Sequence, residues 1–184
     1  FENAQTIYTP AVHPREPYIS SRELFVSPFY AREKELGGYF NNEVAGWERA
    51  LAYESNRQKL DNYLQAVPVR ENEWDQRHVP YEIANSEHLA MSDSSGMINL
   101  SHFAIMDIKG KDAERMLEYL SVAKVGGDIP EGRMIYTNFL DEDGGVHADL
   151  TISRLGVDSY RVVTGGADGN RDWVTMRNYR DDTG

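Results

Sequence analysis

The stretch Tyr136-Thr-Asn-Phe-Leu-Asp-Glu-Asp-Gly-Gly-Val-His-Ala-Asp149-Leu-Thr-Ile152 decides the fold of this chain. Met134 to Leu140 is rich in apolar and aromatic residues, and Asp141-Glu-Asp-Gly-Gly145 then supplies turn chemistry. The β-compatible Val146, Leu150, Thr151 and Ile152 follow, so the segment reads as strand, tight acidic turn, strand. On the second strand, alternation puts Val146, Ala148, Leu150 and Ile152 on one face and His147, Asp149, Thr151 and Ser153 on the other. With the apolar face on the core, Asp149 is aimed at solvent or a cleft. On the first strand Tyr136 shares a face with Asn138 and Leu140, roughly across from the segment bearing Asp149.

Outward from the hairpin, Asp158 to Thr164 reads as a strand and Gly165-Gly-Ala-Asp168 as a turn. A final helix starts near Asp168, whose carboxylate can cap it, and carries Trp173, Met176 and Tyr179. Upstream, Tyr81 to Asp93 is helical, and Met97–Leu100 and Ala104–Lys109 are expected strands. Gly110 precedes a helix over Lys111–Val122, where Ala113, Met116, Leu117 and Leu120 fall at helical spacing and define a core face. Strands interleaved with helices, part of the sheet being antiparallel, predict an α+β fold with a mixed, partly antiparallel sheet and packed helices. Further upstream, Phe29–Leu36 is helix-compatible and stops at Gly37-Gly38, while Glu43–Tyr53 is ambiguous. Leu60, Tyr63, Leu64 and Val67 suggest a short amphipathic helix ended by Pro68. Residues 1–22, with Pro10, Pro14 and Pro17, favour an extended arm or linker, residues 23–80 form a lead-in segment, and residues 81–184 carry the sheet.

Composition narrows the functional classes. The 184 residues suffice for a sizeable core. Against 30 Asp and Glu stand 19 Lys and Arg, a net charge of -11, which repels a phosphate backbone and argues against nucleic acid as partner. There is no cysteine, so disulfides, thiolate nucleophiles and cysteine-ligated metals are excluded within these residues. No apolar run has the length of a membrane span and Phe1-Glu-Asn-Ala lacks signal-peptide character, so the expectation is a soluble, cytoplasmic protein with no membrane partner.

Several motifs carry nothing. Gly165-Gly-Ala-Asp-Gly169 follows a strand but lacks the spacing of a dinucleotide loop and the lysine of a P-loop. Asp141-x-Asp143-x-Gly145 opens like a calcium loop, yet Ile152 stands where the bidentate Glu belongs. His13, His78, His88, His102 and His147 show no zinc spacing, and no metal site is expected. Ser101-His102 has neither a linked acid nor a nucleophile elbow. His147 shares the predicted face of Asp149, where an acid–base pair is conceivable, although a surface histidine is the commoner outcome.

The pattern Tyr-Thr-x-x-Leu-x-x-x-Gly-Gly-x-x-x-Asp-Leu-Thr, here Tyr136 to Thr151, resembles the tetrahydrofolate-binding domain shared by the glycine-cleavage T-protein and the dimethylglycine and sarcosine dehydrogenases. Glu87 to Phe103 is similar to that family's opening segment, and Lys109-Gly-Lys-Asp-Ala113 to its next strand-to-helix turn. Ser27-Pro-Phe-Tyr30, Glu35-Leu-Gly-Gly-Tyr-Phe40 and Ala45-Gly-Trp-Glu-Arg49 resemble the lead-in of the dehydrogenase branch. Two departures stand out: Ser92 and Asn99 occupy positions where the family commonly has arginine and aspartate, which implies altered ion pairing there.

An outward aspartate on a strand is usually only solvated, and a strand tyrosine is usually core. The resemblance instead implies that Asp149 is catalytic, orienting tetrahydrofolate and assisting proton transfer as its nitrogen attacks a one-carbon unit, and that Tyr136 binds the cofactor by stacking on the pterin. It implies a small-molecule N-methyl amine or aminomethyl donor, and FAD only in a separate region ahead of Phe1. A stand-alone demethylase or aminomethyltransferase without flavin, or a non-catalytic folate-binding or assembly fragment, remain alternatives. Because the family's domain is longer, residues 81–184 are expected to be a partial folate-binding domain. Its apolar faces at Leu140, Leu150 and Trp173 should then lie uncovered and favour a homo-oligomer or a complementing chain.

Overall fold

A computed structural model describes residues 22–66 and 81–183. The expected arm over residues 1–22, Arg22 apart, lies outside the described residues, as do Val67 and Pro68. The chain divides into two compact units after His102. None of the described helices is long and apolar enough to cross a membrane.

The first unit opens with helix α1, Tyr30–Glu35, stopped at Gly37, whose φ of +71° suits glycine. The ambiguous stretch after it is a β-hairpin, β1 Gly38–Val44 and β2 Trp47–Tyr53, closed by Ala45 and Gly46 with φ of +51° and +89°. Both central residues at positive φ define the tight turn that matches strand twist, and here alanine occupies one of those strained positions. Short 3-10 turns lead to a single helical turn, α2, Asp61–Leu64, and then α3, Tyr81–Asp93. Helix α3 packs on β2, so residues 81–102 group with the lead-in and not with the sheet that follows. The expected strand Met97–Leu100 is absent: these residues are irregular, and Met97 is 97% exposed. A short apolar run without a pairing partner has nothing to hold it extended.

Carboxylates hold this unit together from within. Glu48, its side chain fully buried, accepts from Arg22 Nε and Nη2 and from the Glu23 amide at 2.8 Å. Buried Glu33 accepts from the Tyr53 hydroxyl at 2.8 Å and from Asn99 Nδ2 at 3.0 Å. Asn99 also donates to Ser27 Oγ at 2.8 Å, so the departure from aspartate at this position serves a buried anion. The other departure, Ser92, donates to the His88 carbonyl within α3.

The second unit is β3 Ala104–Lys109, α4 Ala113–Leu120, β4 Met134–Leu140, β5 Val146–Gly156, β6 Ser159–Thr164 and α5 Gly169–Thr183. The sheet order is β3-β6-β5-β4 and each neighbouring pair is antiparallel. Helix α4 carries the chain from one edge strand to the other, after which β4, β5 and β6 form a meander. One sheet face packs on the helices. Leu117, Val125, Phe139, Ala148, Leu150, Ile152, Tyr160, Val162 and Met176 form the core, with Met116 and Leu120 alongside as the helical spacing predicts. Each fully buried aliphatic side chain here contributes on the order of 1.5–3 kcal/mol. Gly169 lets α5 approach β3, since a Cβ there would meet the Ala104 Cβ at 2.4 Å.

The helices are tied to the sheet and the loops by polar groups, some buried and some half-buried. Fully buried Asp172 accepts from Thr164 Oγ1 at 2.7 Å and from Arg171 Nε at 3.0 Å. Glu118 accepts from the amides of Val125 and Gly126, and Glu114 from the Gly127 amide and the Tyr160 hydroxyl. Burial, then the Glu114 carboxylate, push the Tyr160 phenol up to about 12.

Candidate functional site

The hairpin β4–β5 turns because Asp141 caps its own loop. Its Oδ1 accepts from the Asp143 amide at 3.1 Å and the Gly145 amide at 2.6 Å, and Gly144 takes a φ of +83°. The ladder then pairs Thr137 with Leu150, Asn138 with Asp149 and Tyr136 with Thr151. Thr137 and Phe139 face the helices, leaving Tyr136 and Asn138 on the open face with Asp149.

The expected alternation fails at one place. Phe139 pairs with Ala148 but Leu140 with Val146, so His147 is an extra residue in β5. This β-bulge reverses the faces on its turn side. Val146, expected in the core, is 69% exposed, and His147 turns to the helix side, its Nε2 3.0 Å from Thr175 Oγ1. His147 therefore does not pair with Asp149. Leu150, expected uncovered, is 2% exposed, because beyond the bulge the phase places it under the helices, while Leu140 and Trp173 are exposed as expected.

Tyr136 and Asp149 are brought together. The Tyr136 hydroxyl donates to Asp149 Oδ2 at 3.0 Å. That hydrogen bond, the carboxylate's charge and then burial raise the phenol above its ordinary value of 10.0, so it remains a donor at neutral pH. Asp149 Oδ1 has no protein donor among the described residues, and the Tyr136 ring is 68% exposed. The β5–β6 ladder begins at Leu150, so Asp149 has a ladder neighbour on the Asn138 side alone. The open face continues across the sheet as Thr151, Val163 and Ile105, beside a row of Ser153, Arg161 and Asp107. Arg161 closes that row with two hydrogen bonds to Asp107, at 2.8 and 3.0 Å.

This arrangement can do two things: hold a flat ring against the exposed phenol, and accept an N–H at Oδ1. Asn138 and Thr151 were not singled out from the sequence. Counting back from the Asp141–Gly145 turn without the bulge would have set Thr137 opposite Asp149 and Leu150 opposite Tyr136, so the register that brings Asn138 and Thr151 beside the pair needed the structure. Cavities of about 330 Å³ in the second unit and about 200 Å³ in the first lie among the described residues. Neither is lined by Tyr136 or Asp149, which lie on an open surface.

The family model described as the GCVT N-terminal domain matches residues 29–183. The 4-methylaminobutanoate oxidase (formaldehyde-forming) of Paenarthrobacter nicotinovorans is 32% identical over 146 residues, 79% of this chain and 16% of that protein. An aminomethyltransferase of Cupriavidus taiwanensis is 34% identical over 107 residues, 57% of this chain and 28% of its own length. The crystal structure of glycine cleavage system aminomethyltransferase T from Bartonella henselae has the same fold, with a TM-score of 0.60 at 19% identity over 85% of this chain and 35% of that one. The chain thus spans a minor part of each relative.

Proposed function

Because the chain belongs to the GCVT N-terminal domain family, we propose that it serves one-carbon transfer to tetrahydrofolate, with Asp149 catalytic and Tyr136 its cofactor-binding neighbour. The observation that carries this reading is the half-engaged carboxylate: Oδ2 held by Tyr136, Oδ1 open beside an exposed ring. A reduced pterin has a flat pyrimidine ring and bears N–H donors, and these residues offer a surface and an acceptor for the two features. Tetrahydrofolate, when bound, supplies the nitrogens that take up the carbon.

Asp149 accepts the N–H of the attacking nitrogen at Oδ1, orients its lone pair and takes the proton as the new bond forms. Tyr136 keeps the carboxylate from rotating by donating to Oδ2. Asn138, opposite Asp149, borders the same spot. For the donor we favour an N-methyl amine, oxidised in a separate, flavin-bearing region of a dimethylglycine or sarcosine dehydrogenase-like protein. The likeness to an oxidase named for 4-methylaminobutanoate over most of this chain supports that choice. An aminomethyl donor, as the aminomethyltransferase relatives suggest, is the alternative.

The test is Asp149→Asn in single-turnover transfer to tetrahydrofolate, assayed within the full polypeptide that carries this domain. Transfer falls by about 10²-fold or more, the scale of a positioned acid–base group, while folate affinity changes far less. Unchanged transfer would remove Asp149 from the mechanism.

A further inference from the structure

A cavity of about 330 Å³ lies at the β3 edge between the first turn of α4 and α5, apart from Tyr136 and Asp149. Its volume falls in the range of small-molecule sites, about 300–1,000 Å³. Ile108, Met116, Met176 and Trp173 give it an apolar lining. Five cationic side chains, Lys109, Lys111, Arg115, Arg177 and Arg180, face it against two carboxylates, Asp107 and Asp112. Both carboxylates are engaged: Asp107 by Arg161, and Asp112 by Arg115 at 3.2 Å. Lys111 and Arg177 have no ion-pair partner among the described residues. In a chain of net charge -11, such a local cationic excess is not a property of the surface at large.

The first turn of α4 adds to the same field. Asp112 and Ala113 line the cavity, and the Asp112 side chain makes no capping hydrogen bond to the helix. The amino end of α4, the positive end of its dipole, thus borders the cavity. Cations beside a half-apolar lining suit a ligand with one anionic head and a compact hydrocarbon or aromatic body. A bare inorganic ion would leave Met116, Met176 and Trp173 unused.

We infer that this cavity binds a small organic anion, its carboxylate or phosphate set against Lys111 and Arg177 and its body against Met116, Met176 and Trp173. The inference is independent of the role given to Asp149.

Calorimetric titration of the chain with phenyl phosphate, benzoate, inorganic phosphate and benzyl alcohol tests it, with Trp173 fluorescence as a local reporter. At concentrations up to about 10 mM, suited to ligands this small, at least one aromatic anion saturates and binds more tightly than inorganic phosphate. Benzyl alcohol does not saturate. The tighter of the two aromatic anions identifies the head group. Lys111→Gln combined with Arg177→Gln weakens binding about tenfold, the loss of a charged hydrogen bond, with thermal stability unchanged. Absence of saturation by both aromatic anions, binding by inorganic phosphate alone, or equal affinity in the double variant would each overturn the site.

Discussion

Tyr136 and Asp149 are joined across the hairpin on the diagonal. Tyr136 stands opposite Thr151 and Asp149 opposite Asn138, yet the phenol spans the offset to reach Oδ2 at 3.0 Å. A diagonal contact uses the full length of a tyrosine and leaves the ring lying along the open face. The same side chain thus fixes the acid and offers the surface a flat ligand would cover.

That double use separates two substitutions. Tyr136→Phe keeps the ring and removes the donor, so one-carbon transfer drops about tenfold, the worth of a hydrogen bond to a charged group, with little loss of folate affinity. Tyr136→Ala removes the ring as well and weakens folate binding by roughly 1–3 kcal/mol, the scale of aromatic stacking on a heterocycle. Calorimetry with tetrahydrofolate beside single-turnover assays measures both. Equal, large affinity losses would show that the hydroxyl, and not the ring, carries binding.

Acid should loosen the first unit through Glu48. Burial raises its carboxyl, but the hydrogen bonds from Arg22 and the Glu23 amide outweigh this and leave it below the ordinary 4.5. A group depressed in the folded state gives stability that is present above its unfolded pKa and is lost as pH falls through the folded value. Unfolding of the wild type should therefore become easier below pH 4.5, and Glu48→Gln should flatten that acid limb while lowering stability at neutral pH. Denaturant melts across pH check it, and an unaltered acid limb in the variant would assign the effect elsewhere.

Asn99→Asp installs the residue that the family resemblance would lead one to expect and should be destabilising here. It would set a second carboxylate where Nδ2 now donates to buried Glu33 at 3.0 Å. Removing a donor from a buried acceptor and adding like charge costs about 1–3 kcal/mol. The loss should shrink in acid, where one of the two carboxyls takes a proton. Thermal melts at neutral and acidic pH decide; a variant as stable as wild type at neutral pH counts against the Glu33 contact.

The open sheet face predicts association. Ile105, Met134, Tyr136 and Leu140 are all exposed on it, around the candidate site. Size-exclusion with light scattering on the 184-residue chain should show self-association, and Ile105→Lys should reverse it. A monomeric wild type at high concentration contradicts this.

Sequence periodicity was enough for the β4–β5 hairpin, the core face of α4 and the pairing of Tyr136 with the Asp149 strand, because each depends on neighbours a few residues away. The β1–β2 hairpin was not legible: its turn, Ala45-Gly46, places alanine where glycine or asparagine would announce it. The run Met97–Leu100 looked like a strand only because apolar residues adjoin, and pairing is not a local property. Burial of Glu33 and Glu48 was invisible for the same reason, since Asn99 and Arg22, which donate to them, are distant in sequence. His147 was misplaced because a bulge leaves no mark in composition.

That bulge also gives the hairpin a tolerance. Alternation ties side chains on one strand together, so a length change anywhere would ordinarily invert them all. With the extra residue seated at His147, the acidic tip keeps its own parity, and Asp149 answers to the ladder that starts at Leu150. Loss or gain of a residue between Asp141 and His147 can be absorbed there. A one-residue change in the acidic loop should therefore leave the carboxylate on the open side of the sheet.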